Sequence, residues 1–242
     1  MKIMSFNIKN DTRIINDSKT RLNYFIKLLI QEQPDIICLQ ELNYKIKNKL
    51  EKYLKKNKMN YNFYGESRYR NNKKIDEYNS ILVKSNINIL KTITYSLSNF
   101  PNKPITKFNG DIYPRIITYI ELDNYNIYNT HLEHKNHNNK LLQLDCISNL
   151  INNNKPIILV GDFNLESKYL DTFCKYNNLI DTTKNIDYTY NYNNVKKQLD
   201  HILINKHIKY CDIKKYNNEF NNVLISDHCP ISIEIKEKDC MI

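Results

Sequence analysis

Polar and charged residues stand at the ends of several short apolar runs of this sequence. They are Asn7, Glu41, His131, Asp162, Asn164, Asp227 and His228. Strand ends are where α/β sheets bind ligands. Carboxylate and amide oxygens suit a hard cation such as Mg²⁺, and two imidazoles add acid/base capacity and positive charge for a phosphate. The pattern predicts a metal-assisted hydrolase.

Each of these residues also has an ordinary structural explanation. An isolated Asn or Asp at a strand end is usually a turn former, and an isolated Glu is usually solvated. A single His is usually a surface residue or a hydrogen-bonded core residue. Gly-Asp-Phe-Asn at 161–164 is, by itself, consistent with a turn. The number of such residues in one chain favours a common site, but position and chemistry alone leave both explanations open.

The elements that must position these residues alternate between strands and helices. Apolar stripes predict helices over 20–33, 43–57 and 138–152. Apolar or alternating runs predict strands over 2–6, 36–39, 61–64, 79–84, 87–95, 115–122, 125–130, 156–161, 199–204, 207–213 and 230–235. The Asn-rich segment 191–194 is typical of a loop. We expect an α/β protein with helix-covered sheets, and one domain over residues 1–242.

The composition bounds the setting of the protein. A formal net charge of +10 favours a polyanion partner such as nucleic acid. However, the chain has only 3 Gly and is rich in Asn, Ile, Lys and Tyr, as an AT-rich coding sequence would be, so the charge alone leaves that partner open. No apolar run approaches the roughly 18 residues of a membrane span, and no apolar leader follows Met1. We expect a cytoplasmic monomer without a membrane span.

Six short motifs occur in one order along the chain. They are Met-Ser-Phe-Asn at 4–7, Pro-Asp-Ile-Ile-Cys-Leu-Gln-Glu at 34–41, Asn-Thr-His-Leu at 129–132, Gly-Asp-Phe-Asn at 161–164, Leu-Asp-His-Ile-Leu at 199–203 and Ser-Asp-His at 226–228. As a set they resemble the endonuclease/exonuclease/phosphatase superfamily, the Mg²⁺-dependent phosphoesterases related to deoxyribonuclease I and exonuclease III. The resemblance runs from residue 1 to about 235. It implies a four-layer sandwich of two packed mixed β-sheets flanked by helices.

The resemblance also implies a metal site and catalytic roles. Mg²⁺, with Mn²⁺ able to substitute, would be held by Asn7, Glu41 and Asp227. The catalytic residues would be Asp162 and Asn164 on the attacking water, His228 on the phosphate with Asp200 behind it, and His131 near the scissile bond with Glu77 orienting it. In-line attack on a phosphodiester needs these parts: an oriented water, charge neutralisation and a stabilised leaving group.

Substrate contacts are expected from Asn79, Arg68 and Arg115. Arg68 lies in a basic stretch with Arg70, Lys73 and Lys74, where tyrosines are interleaved, so it could bind a nucleic acid strand. A solvated loop is the competing interpretation of this stretch. For Arg115, a phosphate contact and a structural ion pair are both open.

The branch of the superfamily is less sharply indicated. The best likeness is to compact intracellular members of uncharacterised substrate, through Tyr-Gly-Glu-Ser-Arg at 64–68 and Thr-His-Leu-Glu-His at 130–134. We expect a nuclease or other phosphodiesterase acting on nucleic acid. The alternatives are a tyrosyl-DNA phosphodiesterase-like enzyme, a small-molecule or lipid phosphatase, and a catalytically inactive member that binds nucleic acid.

Overall fold

Two six-stranded sheets form the centre of the fold in the computed structural model, which describes residues 1–10, 18–70, 76–151 and 154–236. The strands of the first sheet lie in the order β13 (Tyr210–Lys215), β16 (Ile231–Ile235), β1 (Lys2–Asn7), β2 (Ile36–Asn43), β4 (Glu77–Lys84) and β3 (Tyr61–Tyr64). Those of the second lie in the order β5 (Lys91–Ser96), β6 (Ile116–Glu121), β7 (Asn126–His131), β8 (Ile157–Asp162), β12 (Asp200–Asn205) and β9 (Leu179–Asp181).

Four helices and two short hairpins complete the described structure. The helices are α1 (Ser18–Glu32), α2 (Tyr44–Lys56), α3 (His137–Leu150) and α4 (Asp171–Tyr176), with a 3₁₀ turn at Ser167–Tyr169. The hairpins pair β10 (Tyr190–Tyr192) with β11 (Val195–Lys197), and β14 (Glu219–Phe220) with β15 (Val223–Leu224). Within the described ranges, no helix is both long enough and apolar enough to cross a membrane.

The alternation of side chains along the strands builds three apolar layers. In β2, Ile36 and Cys38 pack between the two sheets, whereas Ile37 and Leu39 pack under α1 and α2. In β8, Ile158 and Val160 face the same central layer, and the opposite face of that sheet packs against α3 and α4. Strands covered on both faces read as continuous apolar runs because every side chain is buried. The order helix, sheet, sheet, helix confirms the predicted α/β class and the four-layer sandwich.

The three predicted helices are present with small shifts at their ends. Asparagine side chains begin two of them: Asn43 accepts a hydrogen bond from the Ile46 N–H at 2.8 Å, and Asn136 accepts one from the Asn139 N–H. Such caps satisfy N–H groups that have no partner inside the helix. The prediction of a loop over 191–194 was wrong for Asn191 and Tyr192, which belong to β10, whereas Asn193 and Asn194 form the turn to β11, both at positive φ.

Candidate active site

The ends of neighbouring strands bring Asp162 together with His131 and Asp200. Strands β7 and β8 are parallel, and their register places His131 beside Asp162. Strand β12 runs antiparallel to β8 and begins with Asp200 opposite Asp162. The ends of β1 and β2, which are also parallel, carry Asn7 and the segment around Glu41. One edge of the sandwich therefore collects residues that lie far apart in the sequence.

Gly161 allows β7 and β8 to approach closely just before Asp162. Its φ is +146°, and a Cβ atom placed there would lie 2.0 Å from the carbonyl oxygen of Thr130. Only glycine fits such a contact, because the oxygen belongs to the backbone of the neighbouring strand. The Gly-Asp pair thus sets the position of Asp162 against His131.

Asp162 is a buried carboxylate with donors on both oxygens. Its Oδ2 accepts from Nδ2 of Asn7 at 2.9 Å, and its Oδ1 accepts from the Asn164 N–H at 2.9 Å. Nε2 of His131 lies 3.5 Å from Oδ2, and Nε2 of His228 lies 3.6 Å from the same atom. Burial alone would raise the pKa of Asp162, but the two imidazoles and the hydrogen bonds lower it. The group is therefore a carboxylate between two histidines.

His228 is held as a cation. Its Nδ1 lies 2.7 Å from Oδ2 of Asp200. Burial would lower the pKa of His228, but Asp200, Asp162 and Asp227 outweigh it and raise the pKa to about 10. Burial raises the pKa of Asp200. The ring of Tyr190 packs edge-on against the imidazole, with centroids 5.2 Å apart. A protonated imidazole in this place can offset negative charge on a phosphate.

Glu77 stands behind His131. Its Oε1 lies 3.8 Å from Nδ1 of His131, and its other oxygen forms an ion pair with Arg68. Burial would raise the pKa of Glu77, but Arg68 and His131 hold it down at about 2. Because Nδ1 of His131 faces this carboxylate, Nε2 is the nitrogen that faces Asp162 and the cleft.

A second group of oxygens lies at the ends of β1 and β2. Glu41 adopts a left-handed backbone, with φ of 55°, where the β2–β4 register shifts between Leu39 and Leu42. This bulge turns the side chain out of the ladder. Oε1 of Glu41 accepts from Nδ2 of Asn7 at 3.1 Å, and Oε2 accepts from the Asn10 N–H at 2.8 Å. Two of the predicted metal-binding residues are therefore in direct contact.

Asp227, the third predicted metal ligand, is bound by a lysine. Nζ of Lys9 lies 2.7 Å from its Oδ2. Burial would lower the pKa of Lys9, but Glu41 and Asp227 raise it above its usual range. Glu41 and Asp227 line the same cleft. Their carboxylate oxygens are hard donors of the kind that Mg²⁺ prefers.

The acidic residues and the histidines open into one cleft of about 560 Å³. The predicted site residues that line it are Glu41, Arg68, Glu77, Arg115, His131, Asp162, Asn164, Asp227 and His228. Asn7 and Asp200 lie behind this lining. Asn7 is hydrogen-bonded to Asp162, and Asp200 is hydrogen-bonded to His228. The β10–β11 hairpin contributes Tyr190, Tyr192 and Lys197 to one wall.

The predicted substrate contacts divide into two kinds. Arg68 and Arg115 face the cleft, where Nη2 of Arg115 donates to Nδ1 of His134 at 2.9 Å. Asn79 is buried and donates from Nδ2 to the carbonyl of Ile116 at 2.8 Å, so it joins the two sheets and does not line the cleft. Of the basic stretch, Arg70 pairs with Glu66. Lys73 and Lys74 lie outside the described residues.

Three residues of the site were missed in the sequence. Lys9 stands just beyond a predicted strand, and Tyr190 stands beside a segment taken for a loop. Arg21 is a buried charge on the apolar stripe of α1; it donates from Nε to the carbonyl of Ile225 at 2.7 Å and from Nη2 to that of Lys9 at 2.8 Å. A charge within an apolar stripe is the pattern that could have revealed Arg21.

A family model and several solved structures are similar to this chain. A model of the Endonuclease/Exonuclease/phosphatase family matches residues 4–228. Among solved structures, an endonuclease/exonuclease/phosphatase from Bacteroides vulgatus superposes with a TM-score of 0.87 at 18% identity, covering 98% of each chain. A mannosyl-6-phosphatase of Bacteroides thetaiotaomicron superposes with a TM-score of 0.80 at 19% identity, and the match covers 98% of this chain and 100% of that chain. TDP2 from C. elegans superposes with a TM-score of 0.69 at 19% identity, and the match covers 97% of this chain and 74% of that chain. At these identities the likeness shows the fold. No match was found among curated proteins.

Proposed function

This chain belongs to the endonuclease/exonuclease/phosphatase family, and on that premise we propose that it is a Mg²⁺-dependent phosphodiesterase acting on nucleic acid. The members of this family are hydrolases of phosphoester bonds. The observation that carries the proposal is the position of Asp162, a buried carboxylate between His131 and His228. It lines the same cleft as Glu41 and Asp227.

The metal would be held by Glu41 and Asp227, with Asn7 as the further predicted ligand. When bound, it supplies positive charge that offsets charge on the phosphoryl and leaving-group oxygens. Mn²⁺ offers the same preference for oxygen donors. Asn7 donates to both Glu41 and Asp162, so it also fixes the metal-binding carboxylate relative to the catalytic one.

Asp162 is the group that accepts a proton from the attacking water. Its pKa lies below the ordinary value, so it is a carboxylate at neutral pH. The N–H of Asn164 fixes its Oδ1, which leaves the geometry of the carboxyl group defined before substrate enters. The water oxygen attacks phosphorus, its proton passes to Asp162, and the bond from phosphorus to the leaving oxygen breaks.

The two histidines act on different oxygens of the phosphoester in this step. His228, as a cation fixed by Asp200, stabilises the charge that grows on the phosphoryl oxygens. His131, with Glu77 facing its Nδ1, directs Nε2 toward the cleft, where the doubly protonated ring can pass the Nε2 proton to the leaving oxygen. Nδ1 of His228 lies within hydrogen-bond distance of Asp200, and Nδ1 of His131 faces Glu77 at 3.8 Å, so Nε2 is the nitrogen of each ring that is directed at the substrate.

The walls of the cleft support a nucleic acid substrate. Basic side chains at Arg68, Arg115 and Lys197 line it together with the aromatic rings of Tyr190 and Tyr192. Basic and aromatic groups in one groove bind phosphates and bases together. The formal net charge of +10 acts in the same direction. A small phosphoester or a tyrosyl-linked end would use the same catalytic groups, so these substrates belong in the test.

Hydrolysis by the purified protein tests the proposal. The panel holds single- and double-stranded DNA, RNA, a 5′-tyrosyl oligonucleotide, a hexose 6-phosphate, an inositol phosphate and a sphingolipid phosphoester, each with Mg²⁺ and with EDTA. His228→Ala protein, checked for folding by circular dichroism, controls for contaminating nucleases. We expect Mg²⁺-dependent cleavage of a nucleic acid that His228→Ala lacks. Cleavage of only a small ester would reassign the substrate, and no cleavage by folded protein would contradict the enzymatic proposal.

A further inference from the structure

Lys9 holds a constrained position at the metal end of the cleft. It follows β1 and has a φ of 59°, in the left-handed region that is unfavourable for a residue with a side chain. Its N–H donates to Oδ1 of Asn7 at 3.1 Å, and its carbonyl accepts from Nη2 of Arg21 at 2.8 Å. Strained backbone is kept where surrounding contacts determine it, and here those contacts direct the side chain into the cleft.

The ammonium of Lys9 binds a group that the proposed metal also needs. Nζ lies 2.7 Å from Oδ2 of Asp227, and Glu41 lines the same cleft. Only 24% of the Lys9 side chain and 6% of that of Asp227 are exposed, so water screens this pair weakly. The ammonium and a divalent ion carry like charges, so each would weaken the binding of the other to Asp227.

We propose that Lys9 is an internal cation that competes with the divalent ion for Asp227 and, once displaced, binds a phosphoryl oxygen of the substrate. This inference rests on the metal site of the proposed function. Its physical basis is charge: two carboxylates that line one cleft repel each other, and a cation beside one of them reduces that repulsion. A flexible four-carbon stem lets the ammonium exchange one anion for another without movement of the backbone. Metal binding and phosphate binding are then coupled through one side chain.

Titration calorimetry with Mg²⁺ and no substrate tests the competition. Lys9→Met and Lys9→Gln remove the charge, and Lys9→Arg keeps it as the matched control. We expect the two neutral variants to bind Mg²⁺ about tenfold more tightly, since a like charge beside a charged ligand shifts binding by at least that factor. Lys9→Arg should bind like the wild type. The melting temperature in EDTA should fall in the neutral variants, which separates loss of a cation from a general gain in stability.

Binding of inorganic phosphate at saturating Mg²⁺ tests whether displaced Lys9 binds a phosphoryl oxygen. We expect the neutral variants to bind it about tenfold more weakly than wild type and Lys9→Arg, because one charge-assisted hydrogen bond is lost. Unchanged or weaker Mg²⁺ affinity in both neutral variants, or unchanged phosphate affinity, would overturn the inference. If no variant and no wild-type protein binds Mg²⁺, the proposed metal site itself is wrong, and that outcome is distinct from equal binding by all of them.

Discussion

The imidazole of His228 joins two carboxylates of the second sheet: its Nδ1 lies 2.7 Å from Asp200 and its Nε2 lies 3.6 Å from Asp162. Asp200 begins β12 and Asp162 ends β8, and these residues are paired across the strands. His228 comes from the first sheet, just before β16. The site is thus closed by a residue of one sheet seated on the strand ends of the other.

This relationship predicts how activity depends on pH. Because nearby carboxylates raise the pKa of His228 to about 10, wild-type activity should persist well above neutral pH and decline only as His228 loses its proton. Asp200→Asn removes one of these charges while burial still lowers the pKa. The alkaline limb of the pH–rate profile should therefore move toward neutral pH. Parallel profiles for the two proteins would show that His228 does not act as the cation.

Asp162→Asn should abolish most turnover without unfolding the protein. The amide cannot accept the proton of the attacking water, and losing such a group costs on the order of 100- to 1000-fold in kcat. Asp171→Asn is the matched control, since that carboxylate is 64% exposed and pairs with Lys184 on the surface. Single-turnover rates of both variants on the cleaved substrate measure the effect. Near-normal turnover by Asp162→Asn would remove it from the proposed mechanism.

Local patterns in the sequence were sufficient for the three long helices, the long strands and the ordered motifs. Stripes and apolar runs extend over many residues, so they identified α1, α2, α3 and β8. They could not identify α4 or β9, which have six and three residues. The Asn-rich turn at 193–194 looks like a loop because the residues that permit a tight hairpin turn also occur in loops.

The site was predictable where function depends on residue type, and hidden where it depends on contacts across the fold. Asp162, His131 and His228 stand out at strand ends. The buried bridge from Nε2 of Gln40 to Oδ1 of Asn129, at 2.7 Å, links the sheets but involves two amides that are common on surfaces. The contact of Lys9 with Asp227 spans most of the chain, and no local pattern encodes it.

Gly161→Ala should destabilise the protein severely. The added methyl group would lie 2.0 Å from the Thr130 carbonyl oxygen, so β7 or β8 must move. Overpacking of a core typically costs about 1–3 kcal/mol, and a clash with backbone lies at the upper end or beyond. Gly110→Ala is the comparison, since there the nearest atom is Nδ2 of the Asn136 side chain at 3.2 Å. Urea unfolding should show a much larger loss for Gly161→Ala; equal losses would contradict the close approach of the strands.

A buried ion pair beneath the site predicts pH-dependent stability. Nδ1 of His201 lies 2.9 Å from Oδ2 of Asp181, and Nε2 lies 2.8 Å from the carbonyl oxygen of Leu165. Both nitrogens face acceptors, so the ring is protonated. Burial would lower the pKa of His201, but Asp181 raises it; burial would raise the pKa of Asp181, but His201, Ser167 and Thr183 lower it to about 2.

The two pKa shifts define the pH range in which this ion pair stabilises the fold. A lowered pKa gives Asp181 a stabilising contribution above its ordinary value of 3.8, which is lost as the pH falls toward 2. A raised pKa gives His201 a contribution below its ordinary value of 6.5, which is lost as the pH rises through the folded-state value. The free energy of unfolding of wild type minus that of Asp181→Asn should therefore be largest between pH 4 and 6.5. A difference that does not vary with pH would show that the pair is not ionised.

Arg21 should stabilise two segments of the first sheet, the one after β1 and the one before β16, through its hydrogen bonds to their carbonyl groups. Its guanidinium donates to the carbonyls of Ile8, Lys9 and Ile225, which are close in sequence to Asn7 and Asp227, two of the proposed metal ligands. Arg21→Met leaves three carbonyls without this partner, and an unsatisfied buried group costs about 1–3 kcal/mol. Lys27→Met makes the same charge change at an exposed position of α1. We expect Arg21→Met, and not Lys27→Met, to lower the free energy of unfolding by several kcal/mol in urea. Equal losses in the two variants would show that Arg21 does not hold these segments in place.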